Sequence, residues 1–355
     1  MLKVGIFTPY VRGETTLAAV QLADWLLRCG IEVTILAEGR IDSGIHPVWD
    51  NKVKRATRKT VYAWAYGCTH LCWFSANFAA VRAARLVASD SPKRCTKNFF
   101  FPSWNGWGRE QEAMVLLCQQ TICLSQDMAY WLDKKYFQTA VTRTWANLVS
   151  PASLLFPRVG RLDVTSTRLL AVITKSVELD IGNQLFNVFD NLLDGHSGLH
   201  VTFLLEHSLP KDYRKQLAKI KQKHADHVTI VTGPPYYEYV QLARQHDWVY
   251  LASTRHTYGS ILSTLMSSSV PIICHDVPPV RSYVANNFSG KLINCDLIES
   301  PGPVAVVELD DVSHILDSLL ISPDTVMRAI QTNMAIALQN KQRVFEQFIF
   351  SEFMK

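Results

Sequence analysis

The chain has 355 residues, 48% of them hydrophobic and 19% charged, with a formal net charge of +5. That composition excludes a disordered chain, and the length suits two domains better than one core. The mild positive charge admits a polyanionic partner without requiring one.

The nearest approach to a membrane span, LCWFSANFAAVRAARLVA, is interrupted by Asn77, Arg82 and Arg85. It falls short of the run of about 18 apolar residues that a spanning helix needs. Val4–Thr8 is too brief for a secretory leader. A cytoplasmic protein is therefore expected, in the host cytoplasm if the chain is viral. The eight cysteines are scattered. Cys68 with Cys72 and Cys118 with Cys123 lack zinc-ribbon spacing, so buried reduced thiols are expected.

LKVGIFT (2–8) reads as a strand, followed by the turn-rich loop PYVRGET. TLAAVQLADWLLRCG has helical apolar spacing and ends on Gly30, and IEVTILAE returns as a strand. KNFFFPS (97–103) and TICLS (121–125) read as strands, QEAMVLLCQQ and QDMAYWLDKKY as helices, the latter with Ser125 as N-cap. VSPASLLFPRVGRLDVTST, near 148–167, has turn signals and no period, and reads as an interdomain region.

The alternation then restarts. Strands are expected at RLLAVITK (168–175), LHVTFLLE, HVTIVTG (227–233), DWVYLAST and VPIICHD. Helices are expected at NQLFNVFDNLL, KDYRKQLAKIKQK, YYEYVQLARQ, SILSTLMSSS and SYVANNF, with a long helix to the end. Strands separated by helices predict doubly wound α/β domains, which bind ligands at the carboxyl ends of their strands.

The corner RHTYGSILSTLMSSSVPII (255–273) draws attention because it is polar where a strand turns into a helix. Amides at Tyr258, Gly259 and Ser260 would face out of a helix N-terminus, which suits a phosphate. Gly259 lets an anion approach the backbone, and Thr264, four residues after Ser260, shares its face. Ser267–Ser269 read as packing and capping residues.

These residues resemble the signature of GT-B glycosyltransferases. The family's aromatic-Gly pair falls on Tyr258-Gly259, its small-x-Pro-Ile-Ile on Ser269–Ile273, and its closing Gly-x-Leu on Gly290–Leu292. The resemblance implies a GT-B fold, two Rossmann-like doubly wound α/β domains facing a cleft. The expected domains are 1–150 for the acceptor and 151–335 for the nucleotide sugar, with a helix at 336–355 packing back on the first. The family's two glutamates fall on His256 and Thr264, so both carboxylates are replaced. The diphosphate-binding strand end falls on Thr174 and Lys175, with Arg255 as a further cation, and the nucleobase loop on Gly233, Pro234 and Tyr236. RGETTLAA matches the first loop, which makes Gly13 a donor contact and Glu14 the candidate base for an inverting reaction. His256 is the other candidate catalytic residue. Asp50, Glu110 and Glu112 are further carboxylates in the first domain. The implied co-substrate is a nucleoside diphosphate sugar, UDP-sugars favoured, with no obligate metal and a monomeric chain.

The first half is basic and aromatic. Lys54, Arg55 and Arg58 lie in KVKRATRK, and Trp104 and Trp107 follow SPKRCTK. Cations with interleaved rings suit a nucleic-acid groove, and they equally suit a solvated face over an aromatic core. The opening LKVGIFTPYVRGETTLAAVQLADWLLRCGIEVTILAEG and the ending VFEQFIF resemble the DNA α-glucosyltransferases of T-even phages. That resemblance implies DNA carrying a 5-hydroxymethylated pyrimidine as acceptor. Two other readings stand beside it. One is a transferase of cell-surface polysaccharide or glycolipid, with VYAWAYGCTHLCWFSANFAAV as a membrane-facing patch. The other is a non-catalytic nucleotide-sugar binder, supported by the missing glutamates.

Overall fold

The computed structural model describes residues 2–9, 13–38, 47–94, 97–103, 107–136, 142–145, 166–174, 182–254, 258–278, 280–286, 288–300, 302–306, 308–320 and 324–354. The chain divides into two compact units. The first comprises Met1–Pro151, Thr257–Ile261 and Asn340–Lys355, and the second comprises Ala152–His256 and Leu262–Gln339. The short excursion at 257–261 is not foreshadowed in the sequence.

Among the described residues of the first unit, seven parallel strands run β1 (Lys3–Thr8), β2 (Glu32–Ala37), β3 (Val53–Arg55), β4 (His70–Phe74), β5 (Lys97–Phe101), β6 (Gln120–Cys123) and β7 (Thr142–Trp145). Their order across the sheet is β3-β2-β1-β4-β5-β6-β7. The connecting helices are α1 (Glu14–Arg28), α2 (Pro47–Lys52), α3 (Arg58–Tyr66), α4 (Phe78–Arg94), α5 (Arg109–Leu117) and α6 (Gln126–Lys135). Parallel strands are covered on both faces, which is why their sequences are nearly continuous apolar runs. Val4, Ile6, Phe7, Leu71–Phe74 and Phe99–Phe101 are all buried.

The stretch offered as a membrane-facing patch has Phe78 exposed but most of its rings turned inward. It supplies α3 and the central strand β4, whose Trp73 packs on Phe7 and Trp64 at 5.5 and 6.0 Å. Those rings serve the core. Gly5 makes room for them, since a Cβ there would lie 2.6 Å from the Trp64 ring and 2.7 Å from Cys68 Sγ. Among the described residues, no helix is long and apolar enough to cross a membrane.

Among the described residues, the second unit has six parallel strands: β8 (Thr167–Ile173), β9 (Leu199–Leu205), β10 (Val228–Thr232), β11 (Trp248–Ala252), β12 (Ile272–His275) and β13 (Lys291–Ile293). Their order is β10-β9-β8-β11-β12-β13. The helices are α7 (Gly182–Gly195), α8 (Lys211–Lys223), α9 (Tyr236–Arg244), α10 (Ser260–Met266), α11 (Leu309–Leu320) and α12 (Asp324–Phe353). A hairpin of β14 (Asp296–Ser300) and β15 (Gly302–Val306) was not anticipated.

SYVANNF, expected as a helix, is not one. A 3₁₀ turn at Val280–Ser282 precedes a bend. There Ser289 Oγ accepts the Ala285 N–H and Asn286 Oδ1 accepts the Leu292 N–H. Side chains that bind nearby backbone offer an alternative to the helical ladder.

From residue 340, α12 belongs to the first unit. Phe345 packs on Trp25 at 5.9 Å, and Phe353 packs on Phe99 at 5.1 Å.

Candidate functional site

Each sheet reverses strand order once, and a doubly wound sheet opens a crevice at that point, outside the strands' carboxyl ends. In the first unit the reversal lies between β1 and β4. β1 ends at Thr8, and Gly13, whose φ of +95° suits glycine, immediately precedes α1. Glu14 follows in the first turn. Its Oε2 accepts the Tyr258 backbone N–H at 3.2 Å. The Ser260 hydroxyl donates to the Glu14 carbonyl at 2.8 Å, and Gln21 Nε2 donates to the Ser260 carbonyl at 3.3 Å. Tyr258 is buried, with its hydroxyl donating to the Phe101 carbonyl at 2.9 Å and its ring edge-on to Phe74.

These contacts qualify the expected phosphate cradle. The Tyr258 amide and Ser260 hydroxyl already have partners within the protein, and the buried Tyr258 ring anchors the turn into α10. An anion reaching that amide takes the place of the Glu14 carboxylate. Gly259 has a φ of +69°, so its glycine is required by the turn itself.

In the second unit the reversal lies between β8 and β11. Thr174, just past β8, donates through its hydroxyl (3.0 Å) and its N–H (3.3 Å) to the Ala252 carbonyl. Ser253 and Thr254 continue β11 and are buried. The Ser253 carbonyl receives a bond from His275 Nδ1 at 3.1 Å. A carbonyl only accepts, so Nδ1 carries the proton, and Nε2 accepts the Tyr250 hydroxyl at 3.0 Å. This buried chain fixes the backbone at the crevice. Thr264 is also buried. Lys175, Arg255 and His256, the expected cations and catalytic histidine of this edge, lie outside the described residues, as does Trp104.

Next along the same edge, Gly233 has a φ of +59° and donates to the Leu205 carbonyl at 2.8 Å. Pro234 follows and is half-buried. Tyr236 was expected to stack on a base. Its ring is instead buried against Tyr239 at 5.2 Å, and its hydroxyl donates to Glu206 Oε1 at 3.0 Å. Amphipathic packing of α9 turns it inward, and the exposed ring is Tyr237. Glu206 was missed by the sequence reading. Its side chain is only 7% exposed at the end of β9. Its signal was position alone, the first residue after a strand.

No protein-family model matches the chain, and no curated protein matches its sequence. Solved structures do match. HepE of Anabaena, in complex with UDP and glucose, is 13% identical with a TM-score of 0.69, covering 99% of this chain and 100% of that one. The pneumococcal O-GlcNAc transferase GtfA, with UDP and GlcNAc, is 10% identical with a TM-score of 0.74, covering 99% and 98%. An α-glucosyltransferase in complex with UDP and a 13-mer DNA containing an HMU base is 12% identical with a TM-score of 0.67, covering all of both chains. The fold is GT-B.

On the GT-B framework the basic residues expected to meet the acceptor belong to the first unit. Lys54 and Arg55 are exposed on β3, the edge strand. Arg58 opens α3, with its side chain outside what is described. Trp107 is half-buried and T-shaped on Trp131 at 4.6 Å, with the Lys135 ammonium 5.4 Å from its ring. Lys135 also pairs with Glu112 at 2.9 Å and holds that carboxyl below its usual range. Trp107 is thus part of an aromatic-cation cluster more than a free stacking platform.

Proposed function

We propose that this GT-B protein is a glycosyltransferase that moves a sugar from a nucleoside diphosphate sugar, UDP-sugars first, to the 5-hydroxymethyl group of a modified pyrimidine in DNA. The observation that carries the reading is the full-length likeness to an α-glucosyltransferase solved with both UDP and DNA. The donor half is supported further by the UDP complexes of HepE and GtfA.

The second unit supplies the donor edge, at the carboxyl ends of β8, β9 and β11. Lys175 and Arg255 follow these strands in sequence and neutralise the charge that builds on the leaving diphosphate. The acceptor hydroxyl oxygen bonds to the anomeric carbon, the bond from that carbon to the phosphate oxygen breaks, and the nucleoside diphosphate leaves with the electron pair. The hydroxyl proton passes to Glu14 if the reaction inverts. His256, which follows Arg255 in the same segment, contacts the donor sugar or phosphate. The first unit supplies the DNA surface through Lys54, Arg55 and Arg58, whose charge favours a phosphate backbone.

The test is transfer from a panel of nucleotide sugars to duplex DNA containing 5-hydroxymethylcytosine, read as the mass of digested nucleosides. The expected result is a sugar increment on the modified base and none on unmodified DNA. If no donor gives an increment while UDP raises the melting temperature, the acceptor is a cell-surface glycan or glycolipid, or the chain is a non-catalytic nucleotide-sugar binder. If UDP also fails to bind, the donor assignment falls with it.

A further inference from the structure

We infer that the second unit carries a divalent metal site of the zinc class, built from Asp190, Asp194 and His224 on the α7 and α8 helices. Asp190 and Asp194 are four residues apart on α7 and so share a face. His224 caps α8. Its N–H donates to the Ile220 carbonyl, and its own carbonyl accepts from the His227 and Val228 N–H groups. That turn sets the direction of the ring, whose side chain is 11% exposed.

His224 Nε2 lies 2.9 Å from Asp190 Oδ1 and 3.7 Å from Asp194 Oδ1. One ligand atom from each residue falls within 4.8 Å of the other two. Tetrahedral zinc with bonds of about 2.0–2.2 Å spaces its ligand atoms by about 3.3–3.6 Å, so the two measured separations bracket the required one. One imidazole with two carboxylates suits zinc better than magnesium, which prefers an octahedron of oxygens and water.

A cation already bridges the two carboxylates. Lys223 Nζ lies 3.1 Å from Asp190 Oδ1 and 2.6 Å from Asp194 Oδ2. The two carboxylates therefore converge on one positive charge, held by a half-exposed side chain on a flexible stem. A solvent-open groove of about 510 Å³, lined in part by Asn187, Asp190, Asp212, Lys215, Lys219 and Lys223, adjoins the cluster at Asp190. A divalent ion entering there displaces the Lys223 ammonium and ties α7 to the turn between α8 and β10. The site sits where both helices end. Helices in this fold run antiparallel to the strands, so it lies at the amino edge of the sheet, opposite the donor edge. It does not depend on the glycosyltransferase reading.

The experiment titrates the full-length, metal-free protein with ZnCl₂ by calorimetry, with MgCl₂ as a parallel arm, and follows the melting temperature of the same samples. One equivalent of zinc is expected, with a rise in melting temperature. His224→Ala and the exposed Asp194→Asn are each expected to weaken zinc affinity by more than about tenfold, since even the partners behind a metal ligand are worth about 10–100-fold. Lys223→Met removes the resident cation and is expected to tighten binding. Melts of the metal-free variants establish that each is folded. The absence of a one-equivalent site in the wild type overturns the inference. So does an affinity unmoved in all three variants, which places the zinc elsewhere, for instance on the cysteines.

Discussion

Glu14 has one carboxylate oxygen on the Tyr258 amide and stands in the first turn of α1. Glutamine at this position keeps an acceptor for that N–H but cannot take a proton. Glu14→Gln is therefore expected to leave the melting temperature unchanged while lowering transfer by about 10²–10⁴-fold, the usual worth of a general base. Full activity in that variant would assign Glu14 to holding Tyr258 alone. Tyr236 poses a related problem at the other edge. Tyr236→Phe strips a donor from the nearly buried Glu206 and is expected to cost about 1–3 kcal/mol in urea unfolding. His70 bears on pH. Burial, aided by Lys97, pulls its pKa down from 6.5 to about 4 in the fold. Below about 6.5 the unfolded chain takes a proton that the native state refuses, so stability falls as pH drops toward 4. Urea midpoints between pH 7 and 4.5 should fall more steeply in the wild type than in His70→Gln. Residue type and chain position were legible in such sites. Side-chain direction was not, because Tyr236 and Tyr237 are neighbours in sequence and only packing decides which is buried.

Gly290 shows how an element depends on a close approach. A Cβ there would lie 2.6 Å from the Ile272 carbonyl oxygen, where β13 approaches β12. That neighbour is backbone and cannot swing aside. Gly290→Ala is expected to cost about 1–3 kcal/mol, measured by thermal or urea unfolding. The GT-B resemblance had marked this glycine, and the reason for it is this contact. Most strands and helices were readable from apolar runs and 3.6-residue periods; KDYRKQLAKIKQK forms α8 over the whole expected span. The failures have local causes. β4 was hidden because a fully buried aromatic strand has no alternation to betray it. SYVANNF failed as a helix because Asn286 and Ser289 satisfy nearby backbone groups in a bend.

For the molecule as a whole, the proposed donor makes a thermodynamic prediction. A nucleotide that binds only the folded chain adds about 2.7 kcal/mol at a hundredfold excess over Kd. UDP is expected to raise the melting temperature, and an unchanged value at millimolar UDP counts against the donor assignment. The sequence alone determined the α/β class, the doubling of the pattern and most element positions, because each follows from local periodicity and turn chemistry. Through the GT-B resemblance it also proposed the segments at 174–175, 233–236 and 255–260, which follow strands, as candidate donor contacts. Only the tertiary structure decided that Thr257–Ile261 groups with the first unit, that Glu14 meets Tyr258, and that Glu206 receives Tyr236. These pairings join residues 30 to 244 positions apart. No local pattern specifies such contacts, because they arise from packing that fills the core and satisfies buried polar groups together.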